Sequence, residues 1–98
     1  MSPSRFVFHP HAVQEARAAR LWYEQRSPQA AAGFLAELSR SFELIAKYPE
    51  AVQQSSLGDR RFVMRTYPFL IAYRVRGTRI EIIAVAHQHR RPGYWKDR

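Results

Sequence analysis

The chain has 98 residues, a formal net charge of +8 and 46% hydrophobic residues, a length that suits one domain with one core. The apolar and aromatic content excludes a disordered chain, and the lack of cysteine excludes disulfide and thiolate chemistry. The first residues lack an apolar signal core, and no apolar run approaches the length of a membrane span. We therefore predict a single domain over residues 1–98 that works in the cytoplasm without membrane contact.

The first half of the chain predicts a short strand followed by two helices. Residues 6–8 are the strand candidate, and Pro10 marks the start of a helix, because proline is favoured in a first helical turn. Ser27 and Pro28 form the N-cap and first position of a second helix, which ends before Pro49. Since the connection between the helices is very short, they are predicted to pack as an antiparallel hairpin.

The second half predicts three strands joined by tight turns. The strand candidates are residues 61–65, 69–75 and 79–87, separated by Pro68 and by an Arg-Gly-Thr turn at 76–78. The whole order, β-α-α-β-β-β, is typical of an α+β fold. We expect a largely antiparallel sheet with the helical hairpin packed on one face.

The positive charge lies in the last two-fifths of the chain. Residues 1–59 contain six basic and six acidic side chains, whereas residues 60–98 contain ten basic and two acidic ones. Crowding like charges adds no stability to a fold, so this imbalance predicts a polyanionic or acidic partner. We expect the arginines of the three strands to converge on an open face of the sheet, opposite the helices.

Two residues near this basic region have structural roles in our interpretation. Glu81 is the only acid within the basic strands, and we expect it to pair with a neighbouring arginine. On a period of two it shares a face with Arg79, Ile83, Val85 and His87. Trp95 follows a Pro-Gly step and is expected to fold back over the sheet as a lid on the core.

The segment after the last strand concentrates side chains that bind or cleave a phosphodiester. Imidazole and phenol groups serve as acid or base, and guanidinium groups hold phosphate. The same parts occur on any phosphate-binding surface, so a nuclease and a basic module that only binds nucleic acid both stay open. No cofactor or metal is predicted, because the two His-x-His pairs lack cysteine and nearby acids. The candidate residues are Arg61, Arg65, His87, Arg90 and Tyr94.

Several short motifs follow one another in a specific order and spacing. They are Trp22-Tyr23-Glu24, Ser27-Pro28, a helix with Phe34 and Leu38, the stop at Pro49, the strand from Pro68 to Arg74, and the end from Ile83 to Trp95. Together they resemble the RelE/ParE superfamily of toxins over about residues 5–95. The resemblance implies the growth-inhibiting toxin of a type II toxin–antitoxin pair, also described as a plasmid stabilisation protein. Its partner would be a small antitoxin with an acidic or amphipathic segment.

Two activities share this superfamily's fold, so the target does not follow from the fold alone. The resemblance implies either a ParE-like poison of DNA gyrase or a RelE-like, metal-independent endoribonuclease that cuts mRNA on the ribosome. RNA-cleaving relatives tend to place basic residues at the start of the middle strand. Here Pro68, Phe69 and Leu70 occupy that place, which favours gyrase.

Overall fold

Two helices lie against one face of a four-stranded mixed sheet in the computed structural model, which describes residues 5–98. The elements are β1 (Phe6–Phe8), α1 (Pro10–Glu24), α2 (Pro28–Lys47), β2 (Arg60–Val63), β3 (Phe69–Arg76) and β4 (Arg79–His87). The sheet order is β1-β4-β3-β2, in which β1 runs parallel to β4 and the other pairs are antiparallel. The predicted α+β class and order of elements are confirmed. No helix among the described residues is long and apolar enough to cross a membrane.

Both helices begin as predicted from their caps. His9 precedes α1, and its Nδ1 accepts the amide hydrogen of His11 at 3.1 Å. The hydroxyl of Ser27 accepts the amide hydrogen of Ala30 at 3.2 Å and caps α2. Each N-cap is followed by a proline at the start of the helix, where its missing N–H costs no hydrogen bond. α1 then packs against both α2 and β4.

The main core lies between the helices and the sheet. Phe34 of α2 is fully buried, and its ring centroid lies 5.4–5.6 Å from those of Tyr23, Tyr67 and Phe69. These edge and stacked contacts join both helices to the start of β3 and add to the apolar burial. The sheet contributes Ile71, Tyr73, Ile80, Ile82 and Val85 to the same core.

A second, smaller core lies on the other face of the sheet. Residues 88–98, which we call the return segment, fold back over this face, and Trp95 is only 2% exposed. Its indole packs on small and apolar side chains of β3 and β4, namely Ala72, Ile83, Ala84 and Ala86. The prediction that Trp95 forms a lid is confirmed. The prediction of an open face is wrong, because the small alanine side chains leave room for the Trp95 indole, which covers this face of the sheet.

A β-bulge in β4 changes which side chains share a face. The pairing of β3 with β4 shifts by one residue between Ala72 and Tyr73, which leaves Ile83 as an extra residue in β4. Glu81 consequently lies on the return-segment face with Arg74, whereas Val85 belongs to the helix-side core. The expectation that Glu81 shares a face with Val85 and His87 is therefore wrong, since one added residue reverses the alternation.

The strand arginines on the return-segment face lie near two carboxylates, those of Glu81 and Asp59. Glu81 lies 3.0 Å from Arg76 and 3.8 Å from both Arg74 and Arg79, as its predicted pairing role requires. Arg61 lies 3.2 Å from the buried carboxylate of Asp59. The expected convergence of free arginines on one open surface is therefore wrong: Arg61 is held by Asp59, and Arg74, Arg76 and Arg79 share Glu81, although Arg76 and Arg79 stay largely exposed.

Candidate functional site

A groove of about 430 Å³ runs between α1 and the end of β4. We call it the α1 groove. One part of its lining is aromatic, from Trp22, Tyr23 and Phe69. The other part carries polar and charged groups, from Glu15, His87, Arg90 and Tyr94. Such a groove combines apolar area with a few polar groups that fix the orientation of a ligand.

The five candidate residues do not form one site. His87, Arg90 and Tyr94 line the α1 groove together. Arg61 lies on the opposite side of the sheet, where its guanidinium carbon is 5.1 Å from the ring centroid of Trp95. Arg65 lines a separate groove beside α2. The structure therefore brings His87, Arg90 and Tyr94 together. It places Arg61 and Arg65 elsewhere.

Tyr94 is half-buried and fixed by charged neighbours. Its hydroxyl donates to Glu15 Oε2 at 2.8 Å, and its ring lies 4.2 Å from the guanidinium carbon of Arg90 and 5.2 Å from that of Arg98. Burial raises the pKa of Tyr94 to about 12, and the adjacent carboxylate adds to this effect despite the two arginines. Tyr94 is therefore protonated at neutral pH and acts as a hydrogen-bond donor, not as a general base.

His87 lies at the point where β4 enters the return segment. Its ring packs edge-on against Phe69 with centroids 5.2 Å apart, and its Nδ1 accepts the amide hydrogen of His89 at 3.1 Å. The neutral ring therefore carries its proton on Nε2, which makes no hydrogen bond within residues 5–98. Within residues 5–98, no three His, Asp or Glu side chains come together as a metal site.

The family model described as "ParE toxin of type II toxin-antitoxin system, parDE" matches residues 6–92. The chain belongs to the ParE toxin family. A solved structure described as the chromosomal ParDE TA system from P. aeruginosa resembles it with a TM-score of 0.67. That match has 18% identity and covers 84% of this chain and 92% of the other, so it concerns the fold. A comparison with curated proteins gives no match. The resemblance to the RelE/ParE superfamily is confirmed, and this ParE toxin is a type II toxin component.

Two acids that hold the return segment of this ParE toxin, Asp59 and Glu15, were not predicted from the sequence. Asp59 is 2% exposed, and its carboxylate accepts hydrogen bonds from Trp95 Nε1 at 2.8 Å, Arg61 Nε at 3.2 Å and the hydroxyl of Ser55. Glu15 lies on α1, and its carboxylate joins this helix to β4 and to the return segment. The available signal for Glu15 was its position three residues after Ala12, on the face of α1 that carries small residues. Asp59 gave no comparable signal.

The carboxyl of Asp59 makes the stability of the toxin depend on pH. Burial by itself would raise its pKa, but hydrogen bonds from Ser55, Trp95 and Arg61, with the charge of Arg61, lower it overall. A lowered folded pKa contributes stability above the unfolded value of about 4, and this contribution is lost as the pH falls through the folded pKa.

We therefore expect the free energy of unfolding to fall as the pH drops below about 4, and to fall less steeply in Asp59→Asn. Urea unfolding of both proteins across this range measures the effect. Identical pH profiles for the two proteins would contradict the assignment to Asp59.

Proposed function

We propose that this toxin arrests growth by inhibiting DNA gyrase, and that an antitoxin neutralises it by filling the α1 groove. The observation that carries the proposal is the polar end of the groove, where the Arg90 guanidinium stacks on the protonated ring of Tyr94. A guanidinium group fixed on an aromatic ring is a suitable anchor for a protein partner, since arginine and tyrosine often contribute most of the binding energy at protein interfaces.

The chemistry of the groove fits an amphipathic antitoxin helix. Trp22 is 51% exposed and, with Phe69, offers apolar surface to one face of such a helix. His87 and Arg90 at the other end favour carboxylate groups on the partner. We assign His87, Arg90 and Tyr94 to the toxic surface. The antitoxin would then cover this surface, so neutralisation needs no change in the fold.

The positions of Arg61, Arg65 and Phe69 favour gyrase over RNA cleavage as the target of the proposal. Metal-free cleavage requires a base, a phosphate-binding cation and an acid at one scissile bond. Arg61 is bound to Asp59 and Arg65 lines another groove, so neither of them lies beside Arg90. Phe69, at the place where RNA-cleaving relatives tend to be basic, packs against Phe34 in the core. The α1 groove does bring His87, Arg90 and Tyr94 together as a candidate base, cation and acid, so the preference for gyrase rests on Phe69 and on the separation of Arg61 and Arg65 from that groove.

Induced expression in bacteria, with purified gyrase assayed in parallel, tests the proposal. We expect filamentation and double-strand breaks in cells, loss of supercoiling activity in the purified assay, and full-length messages. Co-expression of the antitoxin encoded beside the toxin gene is expected to restore growth. Truncated messages with intact supercoiling would instead support RNA cleavage. Harmless expression with salt-sensitive binding to free nucleic acid would support the non-toxic module.

A further inference from the structure

The carboxylate of Glu15 joins three separate parts of the molecule. Its Oε1 accepts the amide hydrogen of Val85 at 3.0 Å, and its Oε2 accepts the hydroxyl hydrogen of Tyr94 at 2.8 Å. The guanidinium of Arg98 donates to both oxygens, at 3.0 and 2.9 Å. Four donors from β4 and the return segment therefore meet one acid on α1. The Glu15 side chain is only 19% exposed, so solvent screens these contacts weakly.

The contact with Val85 follows from the way the sheet ends. β1 pairs with β4 only up to Phe8, which lies opposite Ile82. Beyond that point no strand within residues 5–98 lies on this side of β4. The chain turns into α1 through His9, whose amide donates to the carbonyl of Ile82 at 2.9 Å. Glu15 takes the place of the absent strand, because its carboxylate accepts the amide hydrogen that β1 does not reach.

Arg98 strengthens the same connection from the far end of the return segment. Besides Glu15, its guanidinium donates to the carbonyl of Ile83, the extra residue of the bulge, at 3.2 Å. Its own carbonyl accepts a hydrogen bond from Arg74 at 3.2 Å. The return segment thus has two anchors: Asp59, which holds the indole of Trp95, and Glu15, which holds Tyr94 and Arg98.

We infer that Glu15 is a positioning residue of the toxic surface: through Tyr94 and Arg98 it fixes the return segment so that Arg90 faces the α1 groove. Arg90 itself makes no contact with Glu15 in the hydrogen bonds and ion pairs of the described residues; its guanidinium rests on the ring of Tyr94 at 4.2 Å. Glu15 thereby acts on Arg90 indirectly, by holding that ring. The role assigned to the surface rests on the proposed function, whereas the anchoring can be measured on the free protein.

The test uses Glu15→Gln, which keeps the size of the side chain and removes its charge. The control is Glu24→Gln on the same helix, where the lost contact is an exposed pair with Arg20 at 3.1 Å. By hydrogen exchange, we expect amides at Val85 and at residues 94–98 to exchange about tenfold faster in Glu15→Gln, with β3 unchanged. We also expect the concentration that half-inhibits gyrase to rise about tenfold in Glu15→Gln and to stay constant in the control.

A second variant separates positioning from general stabilisation. Tyr94→Phe removes only the hydroxyl, so it should loosen the amides near residue 94 but not that of Val85, which bonds Glu15 directly. It should add little to Glu15→Gln in the double variant, since both delete the same Tyr94–Glu15 hydrogen bond. Unchanged exchange in Glu15→Gln would overturn the inference, and so would faster exchange spread evenly over the sheet. Local loosening with undiminished inhibition would overturn it as well. If wild-type toxin does not inhibit gyrase, the proposed function fails, while the exchange pattern still decides whether Glu15 anchors the return segment.

Discussion

Asp59→Ala is expected to lower the free energy of unfolding by about 3 kcal/mol or more, the largest effect that we anticipate for a single polar residue. The change leaves Trp95 Nε1 without an acceptor in a buried site and removes the carboxylate that faces Arg61. A buried donor without a partner costs more than the hydrogen bond itself contributes. Because Trp95 holds the return segment on the sheet, the variant should also accumulate poorly in cells.

Urea unfolding measures this loss, and Asp97→Ala is the matched control. Asp97 lies in the same return segment but is exposed, so its removal should change the free energy of unfolding by less than about 0.5 kcal/mol. Equal stabilities for Asp59→Ala and Asp97→Ala would mean that the second core does not depend on the Asp59 carboxylate.

Arg90→Ala is expected to weaken gyrase inhibition about 30-fold, which corresponds to the roughly 2 kcal/mol of an interface hot spot. The guanidinium of Arg90 is exposed at the α1 groove and makes its aromatic contact with Tyr94. Removing it should leave the fold intact, because an exposed side chain contributes little to stability. Dose-dependent supercoiling assays, with growth after induced expression, measure the loss.

Arg91→Ala is the control for this prediction, since it removes the same charge from the adjacent exposed position, which does not line the α1 groove. It should retain nearly full inhibition. An equal loss in both variants would show that the total positive charge matters more than the placed guanidinium. Full toxicity of Arg90→Ala would place the toxic surface elsewhere. Tyr94→Ala is a poorer test, because Tyr94 is half-buried and its removal would disturb the Glu15 anchor.

The local structure of this chain could be predicted because its signals act over a few residues. Pro10, Ser27 and Pro28 determine the helix starts through caps and fixed backbone angles. The alternation and turn residues of the second half predict three strands within one or two residues of their observed bounds. The order of elements then indicates the α+β class. The place of β1, parallel to β4 at the edge of the sheet, is a long-range pairing that no local pattern specifies.

The candidate site was predicted only in part, for a related reason. His87, Arg90 and Tyr94 lie within eight residues of one another after a buried strand, so the end of that strand brings them together. Arg61 and Arg65 were grouped with them by chemical type, and chemical type carries no information about which face a side chain occupies. The alternation of side chains is no safe guide either, since the bulge at Ile83 reverses it within β4.

The amino-acid sequence by itself thus determined the helices, the strands, the basic second half and the superfamily. Tertiary structure alone decided which charges are available to a partner. Glu15 meets Tyr94 across 79 residues of sequence, and Asp59 meets Trp95 across 36. Such pairings depend on how the return segment crosses the sheet, and this path follows from the packing of an indole on alanines. Packing of that kind is set by three-dimensional shape, which the spacing of residues along a chain does not encode.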